Sequence, residues 1–422
     1  MLDIRLIREN PEFVKERLAA RGGDLHLKID EILDCDRQRR TAETRLQQIQ
    51  ADRKRISKEI GAKKAKGEDT TAIEAEVRGF GDQMKELEAQ TAQAGELQMS
   101  LLLNLPNLPH EACPAGKDAA DNPVVRTWGE KPAIANPLDH IKLGEKLGLF
   151  DFERAAKLSG GGFVCFTGAG ARLQRALINF CLDLHSREHG YTEVNTPFIV
   201  KREALVGTGQ LPKFEDQLYA IPAEDMFLVP TAEVPVTNLY REEILAPGDL
   251  PKKMVAYSPC FRSEAGAAGV GTRGMIRVHQ FDKIELVKIT TPETSFDELE
   301  MLTANAEKVL QLLGLHYHVI ELCTGDIGFG SAKTYDIEVW APGQNAYLEV
   351  SSCSNFTDFQ ARRMNLKFKD AEGKNRFCHT LNGSGTAMPR LYVALLETYQ
   401  QPDGSIKIPA PLQPYVGMDV LK

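Results

Sequence analysis

Between Phe261 and Val287 the chain sets cationic, acidic, aromatic and glycine residues in an order suited to gripping a charged ligand. Phe261-Arg262-Ser263-Glu264 leads into a segment holding Gly266, Gly269, Gly271 and Gly274, and Ile276 to Glu285 returns as an alternating run. This pattern predicts two antiparallel strands joined by a glycine-rich loop. Side chains alternate along a strand, so Arg277, His279, Phe281, Lys283 and Glu285 share one face. That face is too polar for a core and reads as the floor of a site for a charged, aromatic-containing ligand. Phe281 and Glu285 stand four residues apart, roughly 13 Å of strand rise, enough to separate a ring-binding end from a second polar end.

Three further segments carry chemistry. Thr231-Ala232-Glu233 follows the apolar run Met226–Val229; in an extended chain Thr231 and Glu233 share parity and face one small ligand, and the same residues also fit a helix cap. Glu349-Val350-Ser351-Ser352 closes another strand-like run, with a carboxylate and hydroxyls as hard oxygen ligands suited to Mg²⁺. Glu349 and Ser352 have opposite parity, so both reach one ligand only if the strand bulges or ends near Ser351. Leu381-Asn382-Gly383-Ser384-Gly385-Thr386-Ala387-Met388-Pro389-Arg390 reads as a glycine-rich turn feeding the N-terminus of a helix over Leu391–Tyr399, an anion site to which Arg390 adds a planar cationic fork.

The elements that must position these residues fall into two parts. Asn10-Pro11-Glu12 opens a helix and Gly22-Gly23 closes it. A long helical hairpin follows. In its second limb Ile73, Val77, Phe80, Met84, Leu87, Thr91, Ala94, Gln98 and Leu101 recur at spacings of four and three, the seam of a coiled coil. Cys35, Ala42, Leu46, Ile49, Ile56 and Ile60 answer from the first limb, interrupted by Arg39 and Arg53, and Gly61 to Asp69 supplies the turn. The first limb, Ile29 to Lys66, would project on the order of 55 Å. Leu105-Pro106-Asn107-Leu108-Pro109 ends the arm, because prolines in that register cannot continue a helix. The predicted organisation is an arm over 1–110, a Pro/Gly-rich linker over 111–135 and a catalytic domain over 136–422. In that domain strand-like runs over Ile221–Val229, Met254–Phe261, Ile276–Val287, His316–Glu321, Tyr335–Val339 and Ala346–Ser351 alternate with helices as antiparallel hairpins. No Gly-x-Gly-x-x-Gly follows a strand, which disfavours a doubly wound nucleotide fold.

The run around Arg262 resembles motif 2 of the class II aminoacyl-tRNA synthetases. Thr231-Ala232-Glu233 matches the serine-binding element of the seryl-tRNA synthetases, and the segment ending in Arg390 matches motif 3. In that last segment Met388-Pro389 precedes the arginine where the common family form has glycine, a mild departure because proline suits the first helical turn. Pro197 sits where motif 1 carries a dimer-interface proline. The resemblance spans nearly the whole chain and is to the bacterial type of seryl-tRNA synthetase. It implies an α+β fold: an antiparallel two-helix coiled-coil arm, and a catalytic domain built on an antiparallel β-sheet flanked by helices. It implies an ATP-dependent ligase that forms seryl-adenylate from L-serine and passes serine to tRNA(Ser), and to tRNA(Sec) where that is present. In such an enzyme Arg262 bridges the α-phosphate and the substrate carboxylate, Glu264 holds the adenine edge, Ser263 also belongs to the ATP site, and Phe281 stacks on adenine. Thr231, Ala232, Glu233, Arg262, Glu285 and Ser384 bind serine, with the partner of ammonium and of hydroxyl left open between the acids. Glu349, Val350, Ser351, Ser352 and Arg390 hold ATP, Glu349 and Ser352 through Mg²⁺. A homodimer in the cytoplasm is the implied setting.

Composition sorts these readings. The net charge of −8 argues against nucleic acid only until its distribution is read. From Arg37 to Lys66 eleven Lys or Arg face three acids, and from Glu68 to Glu96 eight acids face Arg78 and Lys85. Arg39, Arg45, Arg53, Lys54, Arg55 and Lys58 therefore form a basic stripe able to neutralise tRNA phosphates, and the scarcity of aromatics there favours recognition of RNA shape over base stacking. Eight scattered cysteines without a Cys-x-x-Cys pair exclude a disulfide framework or cysteine zinc site. The charged start Met1-Leu2-Asp3-Ile4-Arg5 lacks a signal-peptide core, and no apolar run approaches the roughly 20 residues of a membrane span. A ligase charging a carrier protein would lack the arm and carry zinc ligands, and a non-catalytic RNA-binding protein would not need both arginines. A resistance or biosynthetic duplicate would keep every feature.

Overall fold

The computed structural model describes residues 1–264 and 274–422. Gly266, Gly269 and Gly271 of the expected loop lie outside the described residues. The chain divides into two compact units, Leu2–Pro106 and Asn107–Lys422 with Met1.

In the first unit Asp3 caps helix Ile4–Glu9 by accepting from the Arg5 amide, and Pro11 begins helix Pro11–Ala19, where its missing N–H costs nothing. Two long helices follow, Lys28–Ala65 and Thr71–Leu103. All nine seam positions of the second are buried or half-buried, and Cys35, Ala42, Ile49 and Ile56 are buried on the first. The limbs run antiparallel: Cys35 Sγ meets Ala94 O at 3.0 Å near the base, Arg53 Nη1 lies 3.9 Å from Met84 Sδ, and Lys64 pairs with Glu74 at 2.7 Å near the tip. The turn is shorter than expected. The first helix continues through Gly61 to Ala65, because Ala62-Lys63-Lys64-Ala65 are strong helix formers and one glycine costs only about 1 kcal/mol. Gly67, with φ of 74°, provides the left-handed residue that ends it.

Asp36 is buried at the base of the hairpin, bonded to Arg8 Nε at 2.9 Å and Gln98 Nε2 at 3.1 Å. Burial pushes its carboxyl up, but these donors and Arg39 outweigh that and hold it below the usual range. Arg39 belongs to this cluster, with Glu43 at 2.6 Å and Asp36 at 3.6 Å, whereas Arg45, Arg53, Lys54, Arg55 and Lys58 are exposed.

The second unit is built on an eight-stranded sheet. In chain order its strands are β1 (Val124–Trp128), β2 (Thr192–Glu193), β3 (Lys252–Phe261), β4 (Gln280–Thr290), β5 (Tyr317–Glu321), β6 (Lys333–Ala341), β7 (Ala346–Asn355) and β8 (His379–Ala387). In space they run β1-β5-β6-β7-β8-β4-β3-β2, antiparallel except for β2 beside β3. Residues 111–135, read above as a linker, lie in this unit and supply edge strand β1.

Helices Gly168–Asp183, Ser295–Leu312 and Met388–Tyr399 share one core with the sheet. Leu299, Leu302, Ala306, Val309 and Leu310 keep a helical spacing and are fully buried. A Cβ on Gly383 of β8 would come within 2.4 Å of Leu302, so this strand needs glycine where the helix presses on it. On β4, Ile284 and Leu286 enter this core, while Val287 and Ile289 enter a second cluster with Met254, Ala256, Ala232 and Val236.

Three predicted elements differ. The run Ile221–Val229 is two short strands, Ala220–Ile221 and Met226–Leu228, because Pro222 starts a 3₁₀ turn and Asp225 is left-handed. The return strand starts at Gln280, not Ile276. The segment Leu381–Ala387 is a strand rather than a turn, and it runs directly into helix Met388–Tyr399. Among the described residues no helix is long and apolar enough to cross a membrane.

Candidate active site

A cavity of about 600 Å³ opens over β4, β7 and β8, within the range expected of ligand pockets. Its lining includes Thr231, Glu233, Arg262, Glu264, Phe281, Glu285, Glu349, Val350, Ser352, Ser384 and Arg390. Segments separated by more than a hundred residues in sequence thus converge on one space. Ala232 is instead buried in the second core, Ser263 Oγ donates to Asp216 O at 2.8 Å, and the buried Ser351 Oγ donates to Ser384 O at 2.6 Å.

The hairpin of β3 and β4 provides the floor. Its register pairs Phe261 with Gln280 and Glu285 with Ala256, and strand alternation turns Phe281, Lys283 and Glu285 to the cavity. Arg277 reaches the cavity without belonging to the strand, whereas His279 packs on Phe163 with ring centroids 5.3 Å apart. The Arg262 guanidinium lies 5.1 Å from the Phe281 ring centre, and its Nε donates to Pro230 O at 3.3 Å. Glu264 is held by Arg277 Nη1 at 2.9 Å. This end offers an aromatic face with a cation beside it, and an acid in the same lining.

The other end is a buried polar cluster. Thr231 Oγ1 donates to Glu285 Oε2 at 2.6 Å and accepts from Lys283 Nζ at 2.8 Å, and Lys283 also pairs directly with Glu285. Thr231-Ala232-Glu233 is not a strand. It turns into the short helix Glu233–Thr237, whose N-cap position is Ala232, and Thr231 Oγ1 accepts from the Glu233 amide at 3.3 Å just ahead of it, so the segment is neither strand nor a threonine cap. Glu285 stands opposite Ser384 on β8. Asn382, buried at the same end, faces the Glu233 carboxylate and favours its ionised form.

Burial, and then the charge of Glu285, push the Glu233 carboxyl up to about 7, against the opposing pull of Gln360 and Lys283. Serine use, measured as kcat/KM for serine in pyrophosphate exchange, should therefore fall as pH drops through about 7, because protonation removes an acceptor. Glu233→Gln should flatten that limb, and an unchanged limb in this variant would assign it to another group.

The parity conflict between Glu349 and Ser352 is resolved by a bulge. Across β6 and β7, Ile337 pairs with Ser351 and Glu338 with Glu349, leaving Val350 as the extra residue. Both oxygen-bearing side chains then line the cavity. Arg390, near the start of helix Met388–Tyr399, lies beside them: its Nη1 is 2.7 Å from Glu349 O and 3.4 Å from Glu349 Oε2, and its Nε donates to Ile276 O at 3.3 Å.

A family model of the seryl-tRNA synthetase N-terminal domain matches residues 1–109, and one of the class II tRNA synthetase core domain (G, H, P, S and T) matches residues 213–399. The serine--tRNA ligase of Akkermansia muciniphila is 63% identical over 422 residues, covering all of this chain and 99% of that one. The chain belongs to the seryl-tRNA synthetase family. The serine--tRNA ligase of Thermotoga neapolitana is 54% identical over the full length of both proteins. Among solved structures, the seryl-tRNA synthetase of Pyrococcus horikoshii complexed with ATP superposes with a TM-score of 0.95 at 40% identity, covering all of this chain and 99% of that one. The cytoplasmic serine-tRNA ligase of Naegleria fowleri in complex with AMP superposes at 0.90 with 30% identity, over the same shares. The family fold is thus the one anticipated from motifs 2 and 3.

Sequence motifs did not single out several residues of this site. Strand alternation puts Lys283 on the cavity face, but nothing in the sequence pairs it with Glu285 and Thr231. Gln210 and Gln360, which touch Glu233, sit in segments without a motif. Only folding brings them there.

Proposed function

We propose that this chain activates L-serine with ATP and transfers it to tRNA(Ser), and to tRNA(Sec) where present, with the residues of the 600 Å³ cavity as its machinery. The carrying observation is the order of groups along β4: Phe281 beside Arg262 at one end and Glu285 in its Thr231/Lys283 cluster about 13 Å away, a span matching adenine to aminoacyl group.

The serine carboxylate attacks the α-phosphorus of ATP and pyrophosphate leaves. A ribose hydroxyl at the 3′ end of tRNA then attacks the acyl carbon and AMP leaves. Neither step needs a protein nucleophile. Catalysis is positioning and neutralisation of developing charge. Arg262 spans carboxylate and α-phosphate, Phe281 stacks on adenine with Glu264 on its edge, and Arg390 holds the terminal phosphates. Thr231, Glu233, Glu285 and Ser384 take the ammonium and hydroxyl of serine, with Ala232 as backbone support. Alanine is disfavoured because it leaves buried polar groups unpaired, and threonine by pocket size.

Glu349 and Ser352 suit Mg²⁺: one carboxylate and one hydroxyl brought to the same side by the Val350 bulge, leaving further ligand positions to phosphate and water oxygens. When bound, the ion would offset triphosphate charge. The exposed cations Arg45, Arg53, Lys54, Arg55 and Lys58 are assigned to tRNA phosphates, Arg39 at their base being held by Asp36 and Glu43, and the enzyme is assigned to the cytoplasm. Charging of tRNA(Ser) with labelled serine tests the activity. A homodimer is expected, because closed two-fold contacts are the usual outcome for such folds. Light scattering at micromolar concentration should give twice the chain mass, and a fully active monomer would overturn it.

A further inference from the structure

Glu233 is held from behind by a residue that no motif marks. Gln360, on helix Phe359–Met364, is fully buried, and its Nε2 donates to Glu233 Oε1 at 2.6 Å and to Thr208 O at 3.1 Å. A carbonyl and a carboxylate are both acceptors, so the amide must turn its NH₂ toward them. Its oxygen then faces the buried Thr380, whose Oγ1 donates to it at 2.7 Å. Every hydrogen-bonding atom of the Gln360 amide is engaged, and the direction of each bond is determined. At the other carboxylate oxygen, Gln210 Nε2 stands 3.5 Å from Glu233 Oε2, with its own amide oxygen taken by Thr208 Oγ1 at 2.5 Å. Glu233 Oε1 is therefore anchored by one short bond, Oε2 has a long contact to Gln210, and Asn382 also faces the carboxylate.

We propose that the chain Thr380–Gln360–Glu233 is a positioning relay for the amino-acid substrate: it fixes the carboxylate by Oε1 and reserves Oε2 for a donor on serine. This deepens the site reading above and rests on Glu233 lying against the amino acid. Gln360 touches no reacting atom. The energetic logic is that a hydrogen bond to a charged group is worth more than a neutral one, and that an unoriented carboxylate would spend its acceptor on protein or water instead of substrate. The charged groups facing Glu233 are Glu285, which opposes its ionisation, and Lys283, which favours it. Gln360 acts on the same side as Lys283, so its removal should also move the pH limb of serine use upward.

The test is steady-state pyrophosphate exchange on the full chain with Gln360→Met, Thr380→Val, Thr380→Ser and Glu233→Ala. Gln360→Met should raise KM for serine on the order of tenfold, leave KM for ATP within about twofold, and shift the serine pH limb toward higher pH. Thr380→Val should change KM for serine in the same direction by a few-fold, and Thr380→Ser, which keeps the hydroxyl, should restore it. Because Gln360→Met leaves Thr208 O and the Thr380 hydroxyl without their partner, the Thr380 pair carries the test if that variant does not fold. Equal rises in both KM values, or an unmoved pH limb with an unmoved serine KM in folded variants, would reduce Gln360 to a packing residue and overturn the relay. If Glu233→Ala itself leaves KM for serine unchanged, the assignment of Glu233 to the amino acid fails, and the relay fails with it. If Glu233→Ala weakens serine but the Gln360 and Thr380 variants do not, only the relay is lost.

Discussion

Arg262→Ala should lower serine-dependent pyrophosphate exchange by roughly 10²–10³-fold or more, the scale of removing a charge-stabilising group aimed at a transition state. The reason is local. Arg262 lies beside Phe281 in the cavity, and its Nε is steadied by Pro230 O, so its fork is presented to whatever lies against that ring. The residue is exposed at the end of β3 rather than packed in the core, so truncation should leave folding nearly untouched. Arg262→Lys should recover little, because a point charge cannot bridge two anionic groups as a planar fork does. The measurement is exchange rate together with thermal unfolding of the same preparation. Undiminished exchange in a folded variant would remove Arg262 from the chemistry.

Deleting Arg37–Gln93 and joining the stubs with a short turn should separate the two halves of the activity. Serine activation should survive within about a few-fold, while tRNA charging collapses, because the deletion removes the cationic stripe and phosphate neutralisation dominates such affinity. The hairpin's seam is satisfied between its own limbs, as the Cys35–Ala94, Arg53–Met84 and Lys64–Glu74 contacts show. The cut removes Arg39 from the buried cluster below it but keeps the bonds of Arg8 and Gln98 to Asp36. Charge reversal at Arg53, Lys54, Arg55 and Lys58 together should mimic the deletion and flatten the salt dependence of charging. Normal charging by the armless chain would make the hairpin a structural or partner-binding element and leave the adenylation chemistry standing.

What could be read in advance follows from which interactions are local. The seam from Ile73 to Leu101 and the alternation from Phe281 to Glu285 are periodic, and periodicity is visible in one dimension. The Val350 bulge is different. Parity alone separates Glu349 from Ser352, and only the register imposed by β6 brings them together. Thr231 illustrates competition between local and tertiary preference: its hydroxyl fits a cap as well as a strand, and in the fold it bonds Glu285 and Lys283 instead, ahead of a helix whose N-cap position is Ala232. Gln360 and Gln210 carry no pattern at all, since a glutamine on a short helix or in a loop acquires meaning only when folding places Glu233 against it. The first limb, Ile29 to Lys66, matches the helix Lys28–Ala65, while a turn drawn from Gly61 overstates the loop because a long helix absorbs one glycine cheaply.

The central claim is that this cavity activates serine. Its most direct test is ATP–pyrophosphate exchange with purified full-length chain, supplying L-serine, L-alanine and L-threonine separately. The account predicts exchange with serine, a kcat/KM at least about 10²-fold lower with alanine because buried polar groups lose their partner, and exclusion of threonine by the size of the pocket. Exchange that is independent of serine, or equal with serine and alanine, would contradict it.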